Sequence, residues 1–466
     1  MSAVDETQHI THREKFTICI LVCINLFNYI DRHCIAGVLL DVQLYFDIGD
    51  DIAGLIQTGF IIGYTVVSPI FGYLGDRFSR KFIMIFSLLL WIVMGFTNTI
   101  VHNFWLFVFT RMLVGVSEAG FTVIAPSMLA DLVTKGSRTI VFAIFYFALP
   151  VGTGLGFIIS AKLNQYADGQ WWWALRATPM LNTFSLIFII FAIDPKHGAK
   201  DAAALGGTPA KPTAYREDLY YLFTNRSFIS ITIGYTCVSF VNAALSWWGP
   251  KSLGFGIMLI EGEHGTDDGV VIATLGLISI FTGIIGVATG SSLSKLLRPK
   301  YPFIDPIIVS IGLFLAMPFY TLSLYVTPID MTTTLVFTSL AQLAANTNWA
   351  VVMDMLMYVV VPTRRSSAKA IETFVSHVLG NSISTSLVGI ISEGIQYNYD
   401  FTKWHYQKSD NTTTVDYGEV AEHFYGLQYA LFGTMALLLV GGSTFIWTAF
   451  HIVEDADRAT EKSIEK

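Results

Sequence analysis

No Asp, Glu, Lys or Arg occurs between Phe82 and Thr110, and none between Ile52 and Phe71. A helix needs about 20 apolar residues to cross the hydrocarbon core of a bilayer, and each of these runs is long enough. A chain built from such runs cannot fold as a water-soluble globule, because nearly every helix face would demand burial. In lipid the backbone must satisfy its own hydrogen bonds, and helices do so. The rest of the chain repeats the pattern. Of its 466 residues only 14% are charged, against about 25% in soluble domains, and 53% are hydrophobic.

Twelve membrane spans are expected, at 16–40, 52–75, 82–101, 104–131, 139–163, 174–193, 228–257, 268–297, 303–325, 332–361, 367–393 and 425–451. Residues 1–15 are polar and carry no cleavage-site pattern, so the first apolar run is expected to stay as a helix. The four cysteines, Cys19, Cys23, Cys34 and Cys237, lie in apolar runs and suggest no disulfide framework. They are expected to be buried small side chains.

The two uncharged runs flank Gly72-Tyr-Leu-Gly75-Asp76-Arg77-Phe-Ser-Arg80-Lys81. A short cationic turn between two spans makes them close neighbours and places the turn on the cytoplasmic side. With both termini on that side, 21 of the 28 Lys and Arg residues fall there, among them Lys135, Arg138, Arg298, Arg364, Arg365 and Lys369. The opposite loops are acidic, with Asp41, Asp47, Asp50 and Asp51 in one. Asn411-Thr412-Thr413, in the long outer loop 394–424, is a glycosylation sequon on the correct side.

Residues 194–227 are rich in Ala, Gly, Pro and charge, and read as a cytoplasmic linker. The linker separates a six-helix bundle at 16–193 from another at 228–451, with cytoplasmic tails at 1–15 and 452–466. Gly290-xxx-Ser294-Lys295-xx-Arg298 echoes Gly72-xxx-Asp76-Arg77-xx-Arg80 at the same topological position. The expected fold is therefore an all-α membrane protein of twelve transmembrane helices in two pseudo-symmetric six-helix halves. The second copy has Ser294 in place of Asp76. A conformational latch is thus expected in the first half, built from Gly72, Asp76, Arg77, Arg80 and Asp131.

Asp31 and Arg32 lie inside the first span, and Arg111 and Glu118 lie seven residues apart in the fourth. Intramembrane ionisable groups are costly, so they pair with one another or line a cavity. Either a fixed ion-pair cluster or a substrate and proton-coupling site fits these four. The opposite wall is expected to be neutral and aromatic, from Asn242, Trp248, Asn346, Asn348 and Thr385. Such a cavity suits an amphipathic substrate. Glu372 and His377 read as gate or packing residues. No His, Cys or carboxylate set has metal-site spacing, and no phosphate-binding Gly-rich loop occurs, so neither metal nor other cofactor is expected. An intramembrane enzyme would need a nucleophile or metal constellation, and the sequence displays neither.

The turn at Gly72–Lys81 resembles the signature loop of the major facilitator superfamily, with Ser79 where its second Gly stands. Other stretches resemble the spinster family of that superfamily. They are Asn28-Tyr-Ile-Asp31-Arg32 with Ala36-Gly37-Val38-Leu39, Arg111-Met-Leu-Val-Gly115-Val-Ser-Glu118-Ala-Gly120, and Ala148-Leu-Pro150-Val-Gly152-Thr-Gly154-Leu-Gly156. Trp173-Ala-Leu-Arg176-Ala-Thr-Pro179, Val361-Pro362-Thr-Arg364-Arg365-Ser-Ser-Ala368 and Ser376-His377-Val-Leu-Gly380 extend the resemblance through both halves. It departs at Asn381-Ser-Ile-Ser384-Thr385, where the family often has an acidic residue and then Ser-Pro. The resemblance implies alternating access and carriage of single-chain lipids, sphingosine-1-phosphate or a lysophospholipid. It also implies late-endosomal or lysosomal residence and a functional set at Asp31, Arg32, Arg111 and Glu118. Proton coupling and the lipid's own gradient are the two driving forces considered, a monomer is expected, and nucleic acid is not a partner. The alternative substrate class is a small organic anion.

Overall fold

The computed structural model describes residues 11–35, 38–48, 50–167, 170–196, 208–209, 215–261, 268–398, 417–462 and 464–465. Asn411 lies outside the described residues. The first half contains α1 (His12–Cys34), α2 (Leu39–Phe46), α3 (Asp50–Arg77), α4 (Arg80–Asn98), α5 (Phe104–Leu132), α6 (Lys135–Tyr146), α7 (Ala148–Tyr166) and α8 (Trp172–Ile189). Then come β1 (Thr208–Pro209) and α9 (Tyr215–Thr224). The second half contains α10 (Arg226–Glu261), α11 (Asp268–Leu297), α12 (Ile304–Val326), α13 (Met331–Ala345), α14 (Asn348–Tyr358), α15 (Arg365–Val375), α16 (Ile383–Asn398) and α17 (Tyr417–Glu461). β2 (Ile464–Glu465) pairs antiparallel with β1, tying the chain's end to the linker.

Among the described residues, nine helical stretches are long and apolar enough to cross a membrane. They coincide with nine of the expected spans, and the other three have visible causes for their weaker signal. In α1, Asn25, Asn28, Asp31 and Arg32 lower the hydropathy, and Arg176 and Asn182 do the same in α8. The tenth crossing is broken into α13 and α14 at Asn346-Thr347. The fifth crossing is also jointed, α6 meeting α7 at Phe147 just before Pro150. The eleventh contains a π-helical turn at Ser376–Ser382 between α15 and α16. Such turns cluster at functional sites.

Packing within each half depends on small residues. A Cβ on Gly115 would stand 2.2 Å from the Phe60 carbonyl oxygen, and one on Gly63 2.2 Å from the Met112 carbonyl oxygen. Only hydrogen fits there, so α3 and α5 approach backbone to backbone. Gly152 and Gly156 seat α7 on α1, whereas Gly154 faces Ile280 of α11 in the other half. Large apolar side chains stand on the outside, Phe78, Phe82 and Phe86 among them, as a lipid surround permits. Two expectations change. The loop after α1 holds a two-turn helix, α2, and ends at Asp47 with φ 53°. Cys19 and Cys23 are exposed on α1; only Cys34 is buried and Cys237 is half-buried.

Candidate functional site: a paired-charge cavity between the halves

Asp31 and Arg32 are adjacent on α1, yet each reaches a different partner on α5. Arg111 Nη1 donates to Asp31 at 3.3 Å, and Arg32 Nε donates to Glu118 Oε1 at 2.7 Å. Seven residues bring Arg111 and Glu118 back to one helix face, which lets two consecutive residues of α1 meet both. Thr178 of α8 also donates to Asp31. All but Arg32 are fully buried. Taking one partner from such a pair leaves an unpaired buried charge, at a cost of about 3–5 kcal/mol. Arg32 alone is partly open, its side chain 18% exposed, over the rings of Tyr64, Phe60 and Tyr29.

Beside Arg32 lies a cavity of about 50 Å³ at the junction of the halves. Asn25, Tyr29, Arg32, Tyr64 and Thr122 line it from the first half, with Phe145 and Tyr146 at the joint of the fifth crossing. Tyr235 of α10, Lys369 and Thr373 of α15, and Ser376 and His377 of the π turn line it from the second. His377 stacks on Tyr64 with centroids 4.8 Å apart, joining the halves across the site. The volume admits one or two waters.

The second-half wall differs from the neutral one expected. Lys369 lies on the cavity instead of among the solvated basic residues, and pairs with Glu372 at 2.6 Å. Their three-residue spacing was readable as a helical pair, but burial was not. Asn242, Trp248, Asn346 and Asn348 are not among the cavity's lining residues. Asn242 is exposed on α10, and Trp248 rests on Gly389. Asn346 accepts from Trp349 Nε1 at the break in the tenth crossing, and Asn348 bonds the Ala345 carbonyl. Helix breaks consume polar side chains to satisfy freed backbone, as Asn348 does here, whereas Asn346 is held by the Trp349 indole. The side chain of Thr385 lies outside the described residues.

The turn-side end of the molecule is closed. Asp76 Oδ1 and Oδ2 accept the backbone N–H groups of Ser366 and Ser367 at 3.0 and 2.8 Å. Asp76 therefore caps the N-terminus of α15 from the other half. Gly72 makes room, since a Cβ there would stand 2.4 Å from the Ala370 Cβ. Arg80 pairs with Asp131 at 2.7 Å, and Asp131 pairs with Arg365 of α15 at 2.7 Å. The expected latch is thus not confined to the first half. It fastens one half to the other. Arg77 pairs instead with Asp218 of the linker helix α9, which also holds Arg364 of the second half, both at 2.8 Å. In the second copy of the motif, Ser294 donates to Asp305 at 2.7 Å, and Arg298 meets both Asp305 and Asp354 at 2.6 Å. Asp354 in turn accepts from Thr139 of α6. Asp354 thus lies at the turn-side end.

The sequence model of the Major Facilitator Superfamily matches residues 21–385. Protein spinster of Drosophila melanogaster is 39% identical over 477 aligned residues, covering 96% of this chain and 78% of that protein. The chain belongs to the spinster family. Human protein spinster homolog 1 is 36% identical over 96% of this chain and 83% of its own length. Among solved structures, an inward-facing, occupied bacterial homolog of the human lysosomal transporter Spinster superposes with TM-score 0.66 at 17% identity, covering 96% of this chain and 98% of that one. The outward-facing Major Facilitator Superfamily transporter FucP also gives 0.66, at 13% identity, over 93% of this chain and 99% of its own. At those identities the likeness is one of fold. This spinster-family chain is accordingly a multi-pass membrane transporter with the major facilitator fold.

Proposed function

We propose that this chain moves single-chain lipids, a sphingolipid or a lysophospholipid, by alternating access. The cavity at the junction of the halves carries the reading. Charged groups meet aromatic rings there: Arg32 and Lys369 stand among Tyr29, Tyr64, Tyr146 and Tyr235. A headgroup on the cations and a chain along the rings is what that mixture suits. About 50 Å³ is far below the volume of an acyl chain, so loading requires the halves to part. The Asp76, Asp131 and Arg365 contacts at the turn-side end are what parting there must break.

Asp31, Arg32, Arg111 and Glu118 form the coupling centre in this reading. Glu118 holds Arg32 through one oxygen, while Oε2 has no hydrogen-bond partner among the described residues. It is the carboxylate placed to exchange a proton as Arg32 is drawn to a headgroup. Both termini are cytoplasmic, the transporter works as a monomer in the late-endosomal or lysosomal membrane, and Asn411 carries a glycan. The human lysosomal description of the bacterial neighbour's relative supports that location. Competition in vesicle uptake tests the substrate class. Long-chain lysolipids should compete with labelled sphingosine-1-phosphate or lysophosphatidylcholine and short organic acids should not. The reverse order would move the protein to the carriers of small organic anions.

A further inference from the structure

Arg32 and Lys369 are the cations among the residues lining the central cavity, one from each half. Each is held from behind by a carboxylate that does not line it: Glu118 on Arg32 at 2.7 Å and Glu372 on Lys369 at 2.6 Å. The ionised groups that an incoming molecule meets first are therefore positive on both sides. The rest of the lining is rich in hydroxyl donors, from Tyr29, Tyr64, Tyr235, Thr373 and Ser376. The Lys369 ammonium also lies 5.3 Å from the Tyr235 ring centroid, a cation–π contact within the second-half wall. An ammonium has three donors, and Glu372 Oε2 takes one. Arg32 gives Glu118 its Nε, and a guanidinium has further N–H donors for a tetrahedral oxyanion.

From this placement we infer that Lys369 is a specificity residue, and that Arg32 and Lys369 together clamp a phosphomonoester group across the two halves. The inference rests on the proposed transport reading only in taking this cavity as the substrate's path. Glu372 is the counter-ion that holds Lys369 when the cavity is empty. A phosphate that takes hydrogen bonds from both cations ties the halves together as it binds. The phosphate comes either from a lipid headgroup or from a small water-soluble phosphate, and the two sources are separable by experiment.

Equilibrium binding to the purified full chain in nanodiscs tests the assignment. The probes are lysophosphatidate, lysophosphatidylcholine of equal chain length, and glycerol 3-phosphate. The wild type should prefer lysophosphatidate to the choline lipid by about tenfold or more, the order expected of one charge-assisted hydrogen bond. Lys369→Gln should abolish that preference and Lys369→Arg should retain it. Glu372→Gln should keep or widen it, because Lys369 loses its competitor. A purely structural ion pair predicts otherwise: Lys369→Gln and Glu372→Gln would weaken both lipids alike, and that result overturns the inference. The double variant Lys369→Gln/Glu372→Gln leaves no unpaired buried charge and guards against misfolding; it too should have lost the preference, and retaining it would overturn the inference. If the wild type binds glycerol 3-phosphate through Lys369 but no lysolipid, the lipid reading falls and the clamp stands. Binding of none of the three probes removes both.

Discussion

Replacing Asp76 by Asn isolates the link between the halves. The Asp76 carboxylate is buried and accepts two backbone N–H groups of α15, at 3.0 and 2.8 Å. Hydrogen bonds to a charged group contribute about 1.5–3 kcal/mol each. Asn keeps one acceptor oxygen but presents an NH₂ where the second bond was, and loses the favourable charge at the helix N-terminus. Cheaper burial of the neutral amide offsets part of that loss. The net is about 2 kcal/mol, or roughly thirty-fold in an equilibrium constant. The bonds exist only while the turn-side end is shut, so Asp76→Asn favours opening there. Ser294, the equivalent in the second copy, bonds Asp305 and Arg298 within its own half. Ser294→Ala costs about 1 kcal/mol of stability, but both states lose it, so the balance should hardly move. Cysteine accessibility reads the difference. With Cys19, Cys23, Cys34 and Cys237 replaced, a Thr373→Cys probe on the cavity wall is attacked from the turn side. Asp76→Asn should raise its reaction rate about thirty-fold, and Ser294→Ala by less than about threefold, both figures following from the energies above. Equal effects of the two substitutions would refute this account of the latch.

Three further outcomes follow from the same geometry. Gly72→Ala places a methyl 2.4 Å from the Ala370 Cβ and should raise the same accessibility, because that contact crosses the halves; unchanged accessibility would contradict it. Gly115→Ala meets the Phe60 carbonyl within one half. It should cost about 1–3 kcal/mol by overpacking, seen as a lower unfolding temperature with sidedness unaltered. Glu118→Gln should make uptake insensitive to a pH gradient, whereas persistent gradient dependence would remove Glu118 as the coupling group.

Much of this molecule is legible along the chain because a bilayer leaves few choices. Uncharged runs of span length become helices, and the sites of weak signal, in α1, α8 and the α13–α14 joint, are where polar side chains have other duties. Asp31, Arg32, Arg111 and Glu118 announce themselves by being charged inside spans, and seven-residue spacing on α5 foretells that they can meet α1. Distance along the chain hides the rest. Asp76 finds its partners 290 and 291 residues away, and nothing local distinguishes a cap for another half from a cap within its own. Lys369 sits four residues after the Arg364-Arg365 pair, so charge counting assigns it to the cytoplasmic rim. The start of α15 is buried between the halves, which carries Lys369 inward to the cavity. The Asn-rich break at Asn346–Asn348 misleads in the opposite sense: Asn348 bonds a backbone carbonyl at the break and Asn346 the Trp349 indole, and neither lines the cavity.

The central claim is that a single-chain lipid crosses the bilayer through this protein unchanged. Its most direct test is the purified chain in liposomes, with labelled sphingosine-1-phosphate or lysophosphatidylcholine supplied on one side and a pH gradient imposed or withheld. The account predicts chemically intact lipid on the far side at a rate above protein-free liposomes, abolished by Arg111→Ala. Transfer no faster than in protein-free liposomes, or transfer that Arg111→Ala leaves untouched, would contradict it.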